Sequence, residues 1–515
     1  MLPPAAAALL GPVVMADFAG TAPSADLFDL IAARRLGGVI LFAKNITGPA
    51  QAAQLCRGLQ EHARRAGRPP LLIAVDQEGG PVERFPLGVP GAMAIGATGS
   101  VACAERAGRL AGRMLRTVGA TVDFAPVLDV NTNPANPIIG VRSFGEDPQA
   151  VARLGRAFVA GLHSEGVAAV GKHFPGHGDT DIDSHLDLPE VAHGLDRLAA
   201  VEFLPFRECI RAGLGALMTA HIAIAAFDRE IATLSGNLLD GVLRRTWGFR
   251  GAVFTDSLSM AAIREGIGAG PAAVSALQAG ADMVLALGGP ELLAEVFAAL
   301  HGALERGELT VARLREAQER LARLQSLSRQ PDPGDDPGAV AGAPEHARWI
   351  REIAESAVTL VRRAPGAVPL PPGPLRVAAL VATGEDPSPL GAVLRGHGRQ
   401  VEEIALGPGD TADWLRNASG PAVLVTRSRG RLPAWQAGTI REAFAALGDR
   451  LVVVATGTPY DLTEIPFIAT YLATYGREPA LLEAAAGVLC GTLAPRGRLP
   501  VSLAGLHPVG HGVVW

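Results

Sequence analysis

Short apolar runs without polar alternation recur through the first 325 residues, separated by stretches with helical periodicity. The runs are Val13–Phe18, Gly38–Phe42, Leu71–Val75, Val122–Leu128, Val167–Gly171, Ala216–Ala220, Gly251–Thr255 and Asp282–Leu287. Unbroken apolarity is what a parallel strand buried on both faces requires. Helical patterns lie between most of them, as at Ser100–Thr117, Pro148–Ser164 and Leu195–Ala212. Eight strands alternating with helices predict a (β/α)8 barrel. A doubly wound sheet uses the same pattern, and the polar positions discriminate. Asp76, Asp129, Lys172 with His173, His221 and Asp256 follow the third to seventh runs in turn. A barrel brings such strand ends to one rim, whereas the outer strands of an open sheet lie too far apart to share a site.

A charged helix over Val311–Leu327 is followed by Arg329-Gln-Pro-Asp-Pro-Gly-Asp-Asp-Pro-Gly-Ala-Val-Ala-Gly-Ala-Pro344. This Pro/Gly/Asp tract reads as a linker. Apolar runs resume at Val377–Val381, Ala422–Thr426 and Leu451–Ala455 with helical stretches between them. The expected architecture is α/β throughout: a TIM-like barrel in 1–328, a linker in 329–345 and a C-terminal α/β sandwich domain in 346–515. No internal repeat of solenoid period is present.

The chain has 515 residues, 48% of them hydrophobic, so core material is ample and disorder is excluded. A net charge of −5 gives no reason to expect nucleic acid as a partner. Cys56, Cys103, Cys209 and Cys490 are scattered without a CxxC, which argues against a disulfide framework and a cysteine zinc site. A reducing, cytoplasmic setting fits. The apolar stretch Leu2–Val14 lacks the basic segment of a signal peptide and runs into the first strand, so it reads as the start of the fold. No apolar run reaches 18 residues, so no membrane span is expected.

The densest chemistry lies in Lys172-His-Phe-Pro-Gly-His-Gly-Asp-Thr-Asp-Ile-Asp-Ser-His185. It holds three histidines, three aspartates and a lysine just past an apolar strand. Such groups are too costly to bury unpaired, so they line a cavity or face water. Asp183 and His185 are alternate residues that point the same way if the loop is extended, and the carboxylate would then orient and activate the imidazole. A loop held by local Asp and Ser turns is the competing reading. His173 and His177 have a zinc spacing only on a helix, which Phe174-Pro-Gly176 breaks. Asp179, Asp181, Asp183 and Glu190 fit calcium-loop positions, but Ser184 replaces the required glycine and no helix enters. Asp256 closes an apolar strand, as nucleophile, charge stabiliser or helix cap. In Asp76-Gln-Glu-Gly-Gly-Pro-Val-Glu-Arg84, the glycines permit close approach of a ligand, and Asp76 suits a pair of vicinal hydroxyls within reach of Arg84. Arg142 lies in the glycine-flanked Gly140-Val-Arg-Ser-Phe-Gly145. Asp, Arg, Lys and His with few aromatics suit a small polyhydroxylated ligand. No P-loop, dinucleotide fingerprint, haem, flavin or iron–sulfur signature is present.

The Lys172–His185 segment resembles the signature loop of family-3 glycoside hydrolases, in their β-N-acetylglucosaminidase branch. Asp76-Gln-Glu-Gly-Gly80, Gly140-Val-Arg-Ser-Phe-Gly145, Met218-Thr-Ala-His221 and Phe254-Thr-Asp-Ser-Leu258 follow in that family's order. The resemblance covers residues 11–325 and, more loosely, Ala469-Thr-Tyr-Leu-Ala-Thr-Tyr-Gly476 and Leu489–Pro500. It implies Asp256 as nucleophile, His185 as acid/base and Asp183 as its partner. It also implies sugar binding by Asp76, Arg84, Arg142, Lys172 and His173, the last three near an N-acetyl group. Pro81 departs from the arginine usual there. The implied activity is retaining hydrolysis of β-linked N-acetylglucosamine from cell-wall fragments during peptidoglycan recycling, without metal or cofactor. A phosphorylase and a β-glucosidase are the neighbouring activities. A non-catalytic sugar-binding protein would have no reason to fill every catalytic position.

If His185 is the general acid, its removal should matter in proportion to the proton demand of the leaving group. His185→Ala is expected to lose about 10²–10⁴-fold on sugar aglycones and far less in glycosylation by dinitrophenyl substrates. The measurement is kcat/KM against leaving-group pKa, and a slope no steeper than that of the native chain removes His185 from the role.

Overall fold

The computed structural model describes residues 4–183, 188–228, 230–329, 335–416 and 418–515. Eight parallel strands close a barrel: Val14–Ala16, Gly38–Leu41, Leu72–Val75, Val122–Asp123, Ala168–Phe174, Ala216–Thr219, Ala252–Ser257 and Met283–Ala286. Each pairs with its neighbours in chain order, and the first pairs with the eighth. All eight expected strands are present, and their side chains form one buried apolar cluster with the surrounding helices.

All eight differ at their ends from the expected runs, and the fourth and fifth do so for a visible reason. The fourth is expected to run to Leu128 but ends at Asp123. Pro126 has no N–H to give to a ladder, and Val127 touches the fifth strand only as an isolated bridge to Lys172. The fifth extends past Gly171 to Phe174, into the polar run. Its backbone stays paired there, with Lys172 N–H donating to Pro126 O at 3.1 Å and Leu128 N–H to Lys172 O at 2.6 Å.

The helices follow their capping signals. Val101–Val118 begins after Ser100, whose hydroxyl accepts from Cys103 N–H, and ends at left-handed Gly119. Pro148–Ser164 starts on an Asp147 cap with proline in its first turn. The helix expected over Leu195–Ala212 is two, Leu195–Ala200 and Phe203–Arg211. Pro205 is the reason: its ring clashes with the carbonyl of residue 201 in a continuous helix and it cannot donate to it.

A second, six-stranded sheet follows, in the spatial order Thr359–Arg362, Thr470–Ala473, Leu451–Ala455, Ala422–Thr426, Leu375–Leu380, Val401–Leu406. The first pair is antiparallel and the rest are parallel. This sheet has its own apolar cluster. Within and just after the tract expected as a linker, Pro337–Ala341 and Pro344–Ala357 are helical. Among the described residues no helix is long and apolar enough to cross a membrane.

The two sheets meet beside the carboxyl-terminal rim of the barrel. Asn131 donates to the Tyr460 hydroxyl at 2.8 Å, and Ser502 N–H donates to the Glu146 carboxylate at 2.8 Å. Gly145 is required there, because a Cβ would lie 2.4 Å from Pro500 O. At the opposite end of the barrel, fully buried Asp282 precedes the eighth strand. Arg244, Arg313 and Arg320 reach its carboxylate at 2.7, 2.8 and 2.9 Å, and Val253 N–H donates at 3.0 Å.

Three guanidiniums around one carboxylate make Asp282 costly to remove. Asp282→Ala is expected to lose about 3–5 kcal/mol, as for other broken buried ion pairs. Urea unfolding at neutral pH checks it, and a loss below about 1 kcal/mol, the scale of a surface pair, would mean solvent reaches the cluster.

Candidate active site

The strand ends of the barrel surround a cavity of about 450 Å³. Asp76, Arg84, Arg142, Lys172, His173 and Asp256, six residues singled out from the sequence, all line it. Asp183 is not among the lining residues, and His185 lies outside the described residues.

The cavity is organised around Glu78, two residues beyond the third strand's Asp76 in the same loop. Arg142 grips its carboxylate with two nitrogens, Nε at 2.9 Å and Nη2 at 2.8 Å. Lys172 Nζ lies 2.6 Å from Glu78 and 2.7 Å from Asp76. Burial alone would raise the Glu78 carboxyl, but the Arg142 and Lys172 charges outweigh it and hold the group far below its ordinary range. Burial would likewise lower the Lys172 ammonium, and Asp76 and Glu78 hold it above its ordinary value. Arg142 is therefore not a surface arginine. It is bidentate on a buried carboxylate, the geometry that suits guanidinium best.

Backbone placement is equally specific. Gln77 is 1% exposed and pins the loop after the third strand. Its N–H donates to Asp123, its side-chain oxygen accepts from Arg84 and Phe85 N–H, and its amide donates to Phe85 O. This brings Arg84 back over the cavity, 3.8 Å from Asp76. Gly79 and Gly80, both at positive φ, make the bend.

Asp129 performs the same service for the fifth strand. Its carboxylate accepts from His173 N–H at 3.1 Å and His177 N–H at 2.7 Å, and contacts His173 Nδ1 at 2.7 Å. Burial opposes ionisation, and His173 and His177 outweigh it, so Asp129 is held below its ordinary value. His177 lines the cavity, and burial pushes its imidazole down to about 4. Further along, Asp179 is taken up by Thr132 and His193, both at 2.5 Å, and anchors the loop to its neighbours.

Asp256 comes off the seventh strand with one carboxylate oxygen accepting from Ser257 N–H at 2.7 Å. Burial raises it, but His221, His173, the Ser257 N–H and Lys172 together hold it below its ordinary value. It is a carboxylate kept ionised at the wall of a cavity. Its neighbour His221 is fully buried and tied to Thr233 Oγ1 at 2.8 Å and to Ser257 O at 3.0 Å.

Glu78, Asp129, His177 and Asp17 belong to the site without having been assigned a role from the sequence. Glu78 carried a usable signal, since residues two apart in an extended chain share a face with Asp76. Asp17, at the end of the first strand, pairs with Lys44 at 2.6 Å and accepts from Gly288 N–H at 3.0 Å. Both its partners are remote in sequence. Among the described residues no group of three or more metal ligands gathers.

Residues 9–324 match the family model described as the glycosyl hydrolase family 3 N-terminal domain. The chain is 36% identical to Beta-hexosaminidase A of Pseudoalteromonas piscicida over 374 residues, 67% of this chain, and it spans 62% of that relative's length. It is 42% identical to a Beta-hexosaminidase of Alkalilimnicola ehrlichii over 300 residues, covering 56% of this chain and 84% of the relative. A solved glycoside hydrolase family 3 β-N-acetylglucosaminidase from Paenibacillus sp. str. FPU-7 superposes with a TM-score of 0.90 at 36% identity, covering 96% of this chain and 98% of that one.

The clamp on Glu78 has a pH signature. A carboxyl whose folded-state pKa is depressed contributes stability that is complete above its ordinary value of 4.5 and is lost as pH falls towards the folded-state value. Glu78→Gln is expected to lose about 3 kcal/mol at pH 7. The gap to the native chain should narrow below pH 4.5. Unfolding curves at neutral and acid pH test this, and a gap independent of pH would show that Glu78 is not held ionised.

Proposed function

We propose, from the premise that this chain belongs to glycosyl hydrolase family 3, that it is a retaining β-N-acetylglucosaminidase acting on cell-wall fragments. The observation that carries the reading is an ionised Asp256 at the wall of a cavity whose other walls hold a fixed set of hydrogen-bonding groups for a sugar. Asp76 offers its carboxylate to vicinal hydroxyls, with Arg84 beside it. Arg142, Lys172 and His173 present donors towards the 2-acetamido group. The catalytic unit in this reading is 1–328, with 346–515 as the companion sheet unit.

In the first step Asp256 attacks the anomeric carbon while His185 protonates the departing oxygen, giving a covalent glycosyl-enzyme. His185 then takes a proton from water, which displaces Asp256. An imidazole thus replaces the second carboxyl group of the usual pair. The described histidines of the cavity support His185 by default. At a pKa of about 4, His177 has no proton to give near neutrality. His173 has one ring nitrogen on Asp129, and its other lies 3.5 Å from Arg142. Asp183 serves as the orienting carboxylate. The relatives named as hexosaminidases support the choice of an acetamido sugar.

Asp256→Ala should fold normally and lose nearly all turnover on an aryl N-acetylglucosaminide. Added azide should restore part of the rate on substrates with good leaving groups and give the inverted α-glycosyl azide. Native-like activity in the variant, or a β-azide product, would sink the nucleophile assignment.

A further inference from the structure

His221 stands two residues past the sixth strand, fully buried and not among the residues that line the cavity. Its ring is held at both nitrogens. Nε2 lies 3.0 Å from Ser257 O. A carbonyl oxygen only accepts, so Nε2 carries a proton. Nδ1 lies 2.8 Å from Thr233 Oγ1. The short 3₁₀ turn Ala232–Leu234 brings Thr233 there, tied back by Ala232 N–H donating to Ile222 O at 2.8 Å.

The Thr233 hydroxyl decides the second ring proton. A hydroxyl has one hydrogen and two lone pairs. Three partners surround this one: Ala220 O at 3.0 Å, Thr219 Oγ1 at 2.8 Å and His221 Nδ1. Ala220 O can only accept, so the Thr233 hydrogen goes to it. Thr219 and His221 then both donate to Thr233, and every position on the hydroxyl is used. The reverse arrangement, with Thr233 donating to Nδ1, deprives Ala220 O of that bond where Ala220, Thr219 and Thr233 are all fully buried. Buried polar groups are costly to leave unpaired. The arrangement that satisfies all these atoms gives His221 both ring protons and a positive charge.

A buried cation needs an anion, and Asp256 is at hand. Against the push of burial, His221 leads the groups that hold the Asp256 carboxyl below its ordinary value, followed by His173, the Ser257 N–H and Lys172. His177 also faces Asp256, but burial pushes its imidazole down to about 4. His173 and Lys172 are each engaged by other carboxylates, Asp129 for the first and Asp76 with Glu78 for the second. Ser257 joins the remaining pair. Its N–H donates to Asp256 at 2.7 Å, and its carbonyl takes the His221 Nε2 proton.

We propose that His221 is a positioning residue for Asp256, a buried imidazolium that orients the carboxylate through Ser257 and makes it a better leaving group in the second half of the reaction. This rests on the glycosidase reading of the cavity. In that half the water oxygen bonds to the anomeric carbon as the ester C–O bond breaks. The electron pair returns to Asp256 and the water proton passes to the base. Negative charge thus reappears on Asp256 in the transition state, and a fixed cation behind it stabilises that charge without rearranging. Thr219 and Thr233, which do not line the cavity, set the charge of the ring and through it the rate of ester breakdown.

The first measurement uses the native chain labelled with nitrogen-15 histidine. The ring resonance that is missing from His221→Gln should show both nitrogens protonated at neutral pH, and a bare nitrogen there overturns the proposal. The second is kinetic. His221→Gln keeps a donor for Ser257 O and lacks the charge. On a dinitrophenyl N-acetylglucosaminide, where the ester forms fast, kcat should fall about tenfold, the scale of one partly screened charge pair. KM should fall with it, because the glycosyl-enzyme accumulates. The acid limb of kcat/KM should move to higher pH, since loss of a neighbouring cation raises the Asp256 carboxyl. Thr233→Val keeps the shape, removes the acceptor for Nδ1–H and should do the same more weakly. A merely structural defect would lower the rate alike at every pH and leave KM no lower. An unmoved acid limb in both variants, or a fall in kcat without a fall in KM, overturns the proposal. If His221→Gln does not fold, Thr233→Val decides the kinetics, and its own change in the ring spectrum identifies the His221 resonance. Native-like turnover in Asp256→Ala would remove the glycosidase reading and the role in ester breakdown with it, while the ring spectrum would still decide the charge on His221.

Discussion

Glu78 sits buried between a lysine and an arginine, and three walls of the candidate-site cavity are fixed by that arrangement. Neither cation could be held in the barrel mouth alone, since a buried unpaired charge costs several kcal/mol. Glu78 compensates both, and in doing so ties together the third strand's loop, the fifth strand and the loop carrying Arg142. Lys172 then has a second carboxylate, Asp76, on its open side. The result is a cationic pair rigid enough to present donors to a ligand without first rearranging, which is where preorganised sites gain their advantage. Asp129 repeats the device for His173 and His177.

The barrel was legible in the sequence because parallel strands are buried on both faces and so read as plain apolar runs. The fourth and fifth strands were mis-sized where that logic stops applying. Lys172 and His173 look like loop residues until their partners Glu78 and Asp129 are known, and those lie tens of residues away. In the second sheet, Val401–Leu406 has no plain apolar run because it is an edge strand with Glu402 and Glu403 exposed. Thr359–Arg362 is an edge strand with only two apolar residues, Leu360 and Val361, between a threonine and an arginine. Pro205 is a break in the helix after the fifth strand that the sequence itself displays.

The site was legible in part for a different reason. Asp76, Lys172, His173 and Asp256 each stand at the end of an apolar strand, and a barrel sends those ends to one place. What the sequence does not display is which polar residue faces the ligand and which supports it from behind. Glu78 and Asp76 are both acidic, two residues apart and at the cavity wall, yet Glu78 is gripped by Arg142 and Lys172 while Asp76 meets Lys172 and, at 3.8 Å, Arg84. Gln77, between them, is an unremarkable residue type that holds the whole loop by its side-chain amide.

The bond from Asn131 to Tyr460 and the one from Ser502 to Glu146 bracket the loop that carries Arg142. The barrel and the second sheet have separate apolar clusters, so each could in principle melt by itself. The bracket makes the shape of the barrel's carboxyl-terminal rim contingent on the sheet beside it staying folded. Heat inactivation is then governed by whichever of the two cores yields first, and a ligand that braces the Arg142 loop lends part of its binding energy to a sheet it touches only through that loop.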